Sequence, residues 1–144
     1  NTAINILKKK YKKNKNISVK RVDLKSLNPI TLGKYDYLYM RFLLHAVDLK
    51  IQNKLLKNLK KIMKKGAIAM CEFRTDKDPL KNFGKKISKN ETYTDHYRRF
   101  INYKDFLKTL KKCTYKVIFK TERRGLSIYK KDNPVLGRII FKNN

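Results

Sequence analysis

Ala67-Ile-Ala-Met-Cys71 is the stretch that most restricts what this chain can fold into: an unbroken apolar run directly after an amphipathic segment ending in Lys64-Lys65-Gly66. A strand that is apolar on both of its alternating faces belongs inside a parallel sheet, covered by helices on each side. The preceding segment supplies such a helix. Asp48 is placed to cap it, and Ile51, Leu55, Leu56, Leu59, Ile62 and Met63 form one stripe at helical spacing. The basic last turn and the glycine then provide a stop.

The alternation runs along the whole chain. From Thr2 to about Lys13, Ala3, Ile4, Leu7 and Tyr11 fall at helical spacing under a lysine-rich outer face. Ile17, Val19 and Val22 mark a short strand ending at Asp23, and Asn28, Pro29 and Gly33 punctuate the connection to Tyr35-Asp-Tyr-Leu-Tyr-Met-Arg41, rich in aromatic strand formers. Residues 74–100 show no clear periodicity and contain Pro79 and Gly84. A connection this long in a compact domain is a functional lid or is disordered. Asn102, with Asp105 three positions on, opens a helix carrying Phe106, Leu107, Leu110 and Cys113 on one face. Strands over Tyr115–Glu122 and Val135–Lys142 follow, joined through Gly125 and Asp132-Asn-Pro134. This order predicts an α/β sheet wound with right-handed crossovers. The last two strands have no helix between them and are expected to pair as an antiparallel, hairpin-like edge.

At 144 residues the chain suffices for one compact domain and not for two. Its 41% hydrophobic and 11% aromatic content excludes a wholly disordered basic tail. The apolar runs are too short to span a membrane and nothing resembles a signal peptide, so a soluble protein without membrane contact is expected. Opening on Asn1 rather than methionine marks a fragment or a processed chain. The formal charge of +27 predicts sequence-blind binding to nucleic acid through phosphate neutralisation. Most of that charge is lysine, in a chain also rich in asparagine and isoleucine. These residues share A/T-rich codons, so genome composition accounts for the bias without selection for nucleic acid. Cys71 and Cys113 make no metal-binding pattern and read as buried, reduced thiols, which fits a cytoplasmic protein.

Several stretches together resemble the second part of class I, Rossmann-like S-adenosylmethionine-dependent methyltransferases. Tyr35 to Val47 is similar to that family's fourth strand and the turn beside the cofactor's methionine end. Leu59 to Phe73 is similar to its following helix, lysine-glycine turn and fifth strand. Phe100 to Val117 resembles its last helix and sixth strand, and Asn1 to Leu7 the helix after the ribose-binding acid. Arg41-Phe-Leu-Leu-His45, Glu72-Phe-Arg74 and Asp95-His-Tyr-Arg-Arg-Phe100 point to the small-molecule branch, similar to tellurite-resistance-type and surface-polysaccharide O-methyltransferases. The departure is that glycines occur only at 33, 66, 84, 125 and 137, with no Gly-x-Gly to let the cofactor approach. The resemblance therefore implies a Rossmann-like, mostly parallel sheet with an antiparallel C-terminal strand pair and the N-terminal βαβ portion missing. Residues 1–144 form a single partial methyltransferase domain with a lid-like loop at about 74–100. S-adenosylmethionine is the implied cofactor, with no metal. The missing part is lost or carried by an upstream polypeptide, and the fragment alone is inactive.

The resemblance also distributes roles. Asp23 accepts from the cofactor's adenine amino group and Leu24 packs on the ring; a turn-capping aspartate is the plainer alternative. Arg41 lies along the methionine end, while His45 reads as a packed histidine. Glu72 and Arg74 point to one side over the transfer site, Glu72 to accept a hydroxyl proton and Arg74 to orient an anionic or carbonyl-bearing substrate, unless a mutual or neighbouring ion pair closes the sheet end. His96 is the candidate catalytic base, oriented by Asp95, and Tyr97, Arg98 and Arg99 are candidates for holding the substrate. The alternative there is a solvated entry to the last helix. The expected activity is O-methylation of a small metabolite or sugar in surface polysaccharide biosynthesis. The competing readings are a basic nucleic-acid-binding module and a non-catalytic methyltransferase-like protein. Against the first of these, the Asn/Asp-Pro-Pro-aromatic loop of amino-methylating nucleic-acid enzymes is absent after Arg41.

Overall fold

The computed structural model describes residues 2–26, 28–29 and 32–144. Asn1, which opens the stretch likened to a methyltransferase helix, lies outside them, as do Leu27, Ile30 and Thr31 in the connection before Tyr35. The elements in order are α1 (Thr2–Lys10), β1 (Tyr35–Arg41), a 3-10 turn (Leu44–Ala46), α2 (Leu49–Ile62) and β2 (Met63–Arg74). A second 3-10 turn (Pro79–Asn82), β3 (Lys85–Ser88), β4 (Glu91–Tyr93) and β5 (Tyr97–Arg99) follow. The chain continues through α3 (Tyr103–Lys112), β6 (Tyr115–Arg123) and β7 (Leu136–Asn143). None of the described helices is long and apolar enough to cross a membrane.

The main sheet has the order β1-β2-β7-β6. β1 and β2 are parallel, and β7 is antiparallel to both β2 and β6, so one strand of the sheet runs against the rest. This is a mixed α/β, Rossmann-like arrangement, and the expected antiparallel pair is present. Its last strand, however, sits inside the sheet rather than at the edge. Leu136, Ile139 and Phe141 are fully buried, and a Cβ on Gly137 would approach Phe73 to 2.8 Å, so β7 has the packing of a central strand.

Local chemistry fixes both long helices. The Asp48 carboxylate accepts from the Ile51 amide at 2.7 Å, and the Asn102 side chain accepts from the Asp105 amide at 3.0 Å, each meeting an N–H that the first turn cannot pair. Leu55, Leu56 and Leu59 of α2 and Phe106 and Leu110 of α3 join Ala69, Cys71 and Phe73 of β2 and Ile139 and Phe141 of β7 in one core. Both helices thus cover the same sheet face. The opposite face carries Tyr37 and Tyr39 of β1, Ile68 and Met70 of β2, and Ile140 of β7. Helices on both sides of β2 were the sequence expectation; α2 and α3 both lie on one.

Three further expectations change. Residues 17–23 form no strand: the Ile17 amide turns back to Asn14 and the Ser26 amide to Asp23, and no ladder partner is present among the described residues. A strand exists only through its neighbour, whatever its β-propensity. α2 ends at Ile62, and Gly66, at φ +80, lies in an irregularity where pairing jumps from Tyr35↔Met63 to Tyr37↔Ile68. Finally, residues 74–100 are neither a bare lid nor disordered, because β3, β4 and β5 build a small antiparallel sheet there.

Candidate functional site

β1 and β2 end at Arg41 and Arg74, and the chain leaves both strands at one end of the sheet, where α/β folds bind ligands. Phe42, just past β1, holds φ +54, a conformation that an aromatic residue adopts only at a cost. Its amide donates to the Glu72 carbonyl at 2.9 Å, which turns the chain sharply into Leu44–Ala46. β5 packs against that turn from the other side.

A cleft of about 400 Å³ opens here, lined by Asp23, Leu24, Val47, Asp48, Ile51 and Tyr97 among others. The structure thus brings the two adenine-side candidates, Asp23 and Leu24, to the substrate candidate Tyr97, and leaves Arg41 out of that lining. Asp23 Oδ1 accepts from the Lys25 amide at 2.9 Å, as a turn-capping aspartate does. The Tyr97 hydroxyl donates to Glu91 Oε1 at 2.6 Å. That bond, ahead of one from Ser88, holds the Glu91 carboxyl below its usual range, while burial first and Glu91 second push the Tyr97 phenol up.

Beside this pair, His96 Nδ1 stands 2.9 Å from Asp95 Oδ2. Asp95 Oδ1 also accepts from Arg98 at 2.7 Å and from the Thr94 hydroxyl at 2.6 Å. Arg98 first, then Thr94, hold the Asp95 carboxyl well below the usual carboxylate range. His96 is 53% exposed, so its ring is reachable from solvent. Arg98 therefore acts on Asp95, within the same turn.

The other candidate arginines, Arg99, Arg74 and Arg41, are engaged by groups of the protein itself. Arg99, 7% exposed, donates through Nε to the Val47 carbonyl at 2.8 Å and through Nη2 to the Leu44 carbonyl at 3.0 Å and Gln52 Oε1 at 2.6 Å. It clamps β5 onto the entry of α2, a different position from the substrate-gripping one expected of it. Arg74 pairs with buried Asp78 at 3.0 Å and with Asp132, so its fork closes the end of β2. Glu72, buried, accepts from Arg41 Nε at 3.1 Å through Oε1 and from Arg138 Nε at 2.8 Å through Oε2. With both oxygens taken by guanidinium groups, Glu72 follows the ion-pair alternative rather than the proton-accepting one. Arg41 also donates to the Ser127 hydroxyl at 2.7 Å.

His45 is the residue whose setting the sequence least reveals. It is 7% exposed, its ring lies 5.3 Å from that of Phe42, and its Nδ1 has no partner among the described groups. Burial first, then the charges of Arg74, Arg98, His96 and Arg99, push its pKa down to about 4. A histidine kept neutral on folding binds its proton more readily when unfolded. Its stabilising contribution is therefore complete above about pH 6.5 and declines as the pH falls towards 4. Urea unfolding at pH 7 and pH 5 should show a loss of about 2 kcal/mol, and His45→Asn should flatten that slope. An unchanged slope in the variant would place the titration elsewhere.

Arg138 and Gln52 escaped the sequence reading. Arg138 stands on β7 at the register position opposite Glu72, a juxtaposition invisible until the strand order is known. Gln52, 2% exposed, sits within a helix whose apolar stripe drew the attention.

No protein-family profile matches the sequence, and neither does any curated protein. Solved structures do match. A SAM-dependent methyltransferase from Methanosarcina mazei superposes with a TM-score of 0.75 at 15% identity, over 99% of this chain and 77% of that one. One from Clostridium acetobutylicum gives 0.73 at 12% identity, over 99% and 72% respectively. The N-methyltransferase NodS from Bradyrhizobium japonicum, in complex with S-adenosyl-L-homocysteine, gives 0.68 at 14% identity, over 98% and 61%. At such identities the likeness is one of architecture, and the chain has the Rossmann-like fold of these SAM-dependent methyltransferases.

Proposed function

We propose that this chain forms the acceptor side of an S-adenosylmethionine-dependent methyltransferase site acting on a hydroxyl of a small metabolite or sugar, of the kind used in surface polysaccharides, in the cytoplasm. The observation that carries the proposal is the Asp95–His96 pair, held 2.9 Å apart on the approach to β5, next to the strand-end cleft that holds Asp23, Leu24 and Tyr97. The donor set suits the adenine end of the cofactor: Asp23 offers a carboxylate to an amino group, and Leu24 and Ile51 offer apolar walls. It does not provide for the rest, since the sequence holds no Gly-x-Gly turn.

When bound, S-adenosylmethionine supplies an electrophilic methyl group on a sulfonium. The chain's own part is to present and deprotonate the acceptor. With Nδ1 held by Asp95, Nε2 of His96 is the nitrogen left to take the hydroxyl proton. Arg98 and Thr94 fix Asp95 and through it the ring. Arg99 positions β5 from beneath, and the Arg41–Glu72–Arg138 row braces the strand ends. Tyr97, tied to Glu91, walls the space between cofactor and acceptor.

Calorimetry with S-adenosyl-L-homocysteine tests the incomplete pocket. This chain alone should bind no tighter than about 1 mM, roughly 4 kcal/mol, because only the adenine side is present. Micromolar affinity from this chain by itself would show the pocket to be complete and overturn the account.

A further inference from the structure

Glu91 and Arg99 stand opposite each other on the β4–β5 ladder, and both line a cavity of about 340 Å³ between the small sheet and the starts of α2 and α3. No lining residue of this cavity is shared with the cleft that holds Asp23 and Leu24. Directly opposed residues of an antiparallel pair project from one face with Cβ atoms about 5 Å apart, close enough for an acid and a base to pair. Here they do not. No carboxylate lies within ion-pair distance of Arg99 among the described residues, although Arg41, Arg74, Arg98 and Arg138 each have one. The guanidinium is drawn off by Val47, Leu44 and Gln52, and the carboxylate by the Tyr97 hydroxyl.

Each group keeps a hydrogen-bonding edge unspent. Arg99 donates through Nε and Nη2, so Nη1 is left, and it is not among the buried atoms that the described fold seals away. Gln52 has Oε1 fixed on Arg99, which leaves its Nε2 as a donor on the same cavity. Glu91 gives Oε1 to Tyr97, which leaves Oε2 as an acceptor, and that bond keeps the carboxyl ionised. Leu49, Phe100 and Phe106 supply apolar wall around the three polar groups. A buried guanidinium met only by neutral carbonyls is a charge still lacking its counter-charge.

We propose that this cavity is a binding site for a free α-amino acid with an apolar side chain. Its carboxylate takes Arg99 Nη1 and Gln52 Nε2, its ammonium takes Glu91 Oε2, and its side chain lies against Leu49 and Phe106. The charges select a zwitterion. A plain anion would be repelled by Glu91 as it approached Arg99, and a plain amine by Arg99 as it approached Glu91. A ligand that carries both charges side by side satisfies both groups at once. The volume suits it, since 340 Å³ is the space of roughly eleven liquid waters, enough for one amino acid. The site stands independently of the methyl-transfer chemistry read near His96.

Calorimetry on the full chain tests it, with L-leucine, L-methionine and L-phenylalanine as probes. At least one should bind with a dissociation constant of about 1 mM or tighter, within reach of a ligand of this size. The tightest is then compared with its analogues lacking the ammonium or the carboxylate (for leucine, isocaproate and isoamylamine). Each analogue should bind at least about 10-fold more weakly, because one charged contact is lost. Glu91→Gln keeps an acceptor for Tyr97 but not the charge. It should weaken the amino acid by about 10-fold or more and leave the carboxylate analogue no weaker. Thr109→Trp fills the cavity from α3 and should abolish binding at an unchanged urea midpoint. Should that variant fail to fold, Glu91→Gln and the analogues decide. A carboxylate analogue that binds as tightly as the amino acid would show attraction to the +27 chain at large and overturn the site. Affinity that survives Glu91→Gln or a folded Thr109→Trp, or no binding of any probe at about 10 mM, would do the same.

Discussion

Arg99→Ala should cost about 3 kcal/mol or more of folding stability, since each acceptor left without its donor away from water costs about 1–3 kcal/mol. The loss has a definite origin. The Leu44 and Val47 carbonyls and Gln52 Oε1 lie in the protein interior and accept from this one guanidinium. Without it, three acceptors are stranded out of water. Domains of this size are stable by only about 5–15 kcal/mol, so the variant should be largely unfolded well below the native urea midpoint. Arg99→Lys should recover little, because a single ammonium cannot fork to all three sites. Had Arg99 instead gripped an acceptor, alanine would raise the Michaelis constant and spare the fold. A variant within about 1 kcal/mol of the parent would return it to that role.

His96→Ala should behave in the opposite way. With the rest of the cofactor pocket supplied, turnover should fall by roughly 100-fold or more, the contribution of a positioned general base, with cofactor affinity and stability nearly unchanged. The half-exposed ring leaves little packing to lose. Asp95→Asn keeps the size of the side chain but removes the charge that orients the imidazole, so it should lower turnover while leaving cofactor affinity unchanged. Asp23→Ala should weaken the cofactor and spare the acceptor. Near-normal turnover of His96→Ala across neutral pH would assign residues 95–100 to structure alone.

What the sequence discloses about this fold depends on how local the cause is. Asp48 and Asn102 announce their helices because a cap acts within one turn, and Tyr35–Arg41 announces β1 because alternation is a property of the strand itself. Val19 and Val22 have the same propensity, yet no ladder forms on them among the described residues. The place of β7 between β2 and β6 is equally non-local. With no helix before it, the last strand reads as part of a hairpin-like edge, and nothing nearby in sequence says that it separates two others. At the candidate site, the Asp95–His96 pairing was legible because the two residues are adjacent. The capture of Glu72 by Arg41 and Arg138 was not, since the three meet only through the sheet register. Charge counting also could not separate exposed Asp95 from buried Asp78, although one orients a ring and the other anchors Arg74.

The insertion of β7 also governs the order in which the chain can acquire its shape. β2 and β6 never pair with each other; they are joined through the last strand, Ile68 opposite Lys142 and Val117 opposite Phe141. On the ribosome, β1, α2 and β2 can assemble early from contacts close in sequence. α3 can settle on β2 early, with Phe106 against Phe73, but β6 has no strand to pair with until β7 emerges. Long-range pairing of this kind is slow and leaves strand edges uncovered in the interim, so the nascent chain is a natural client for chaperones. A stop codon just before Leu136 would leave β2 and β6 without the strand that joins them in the sheet.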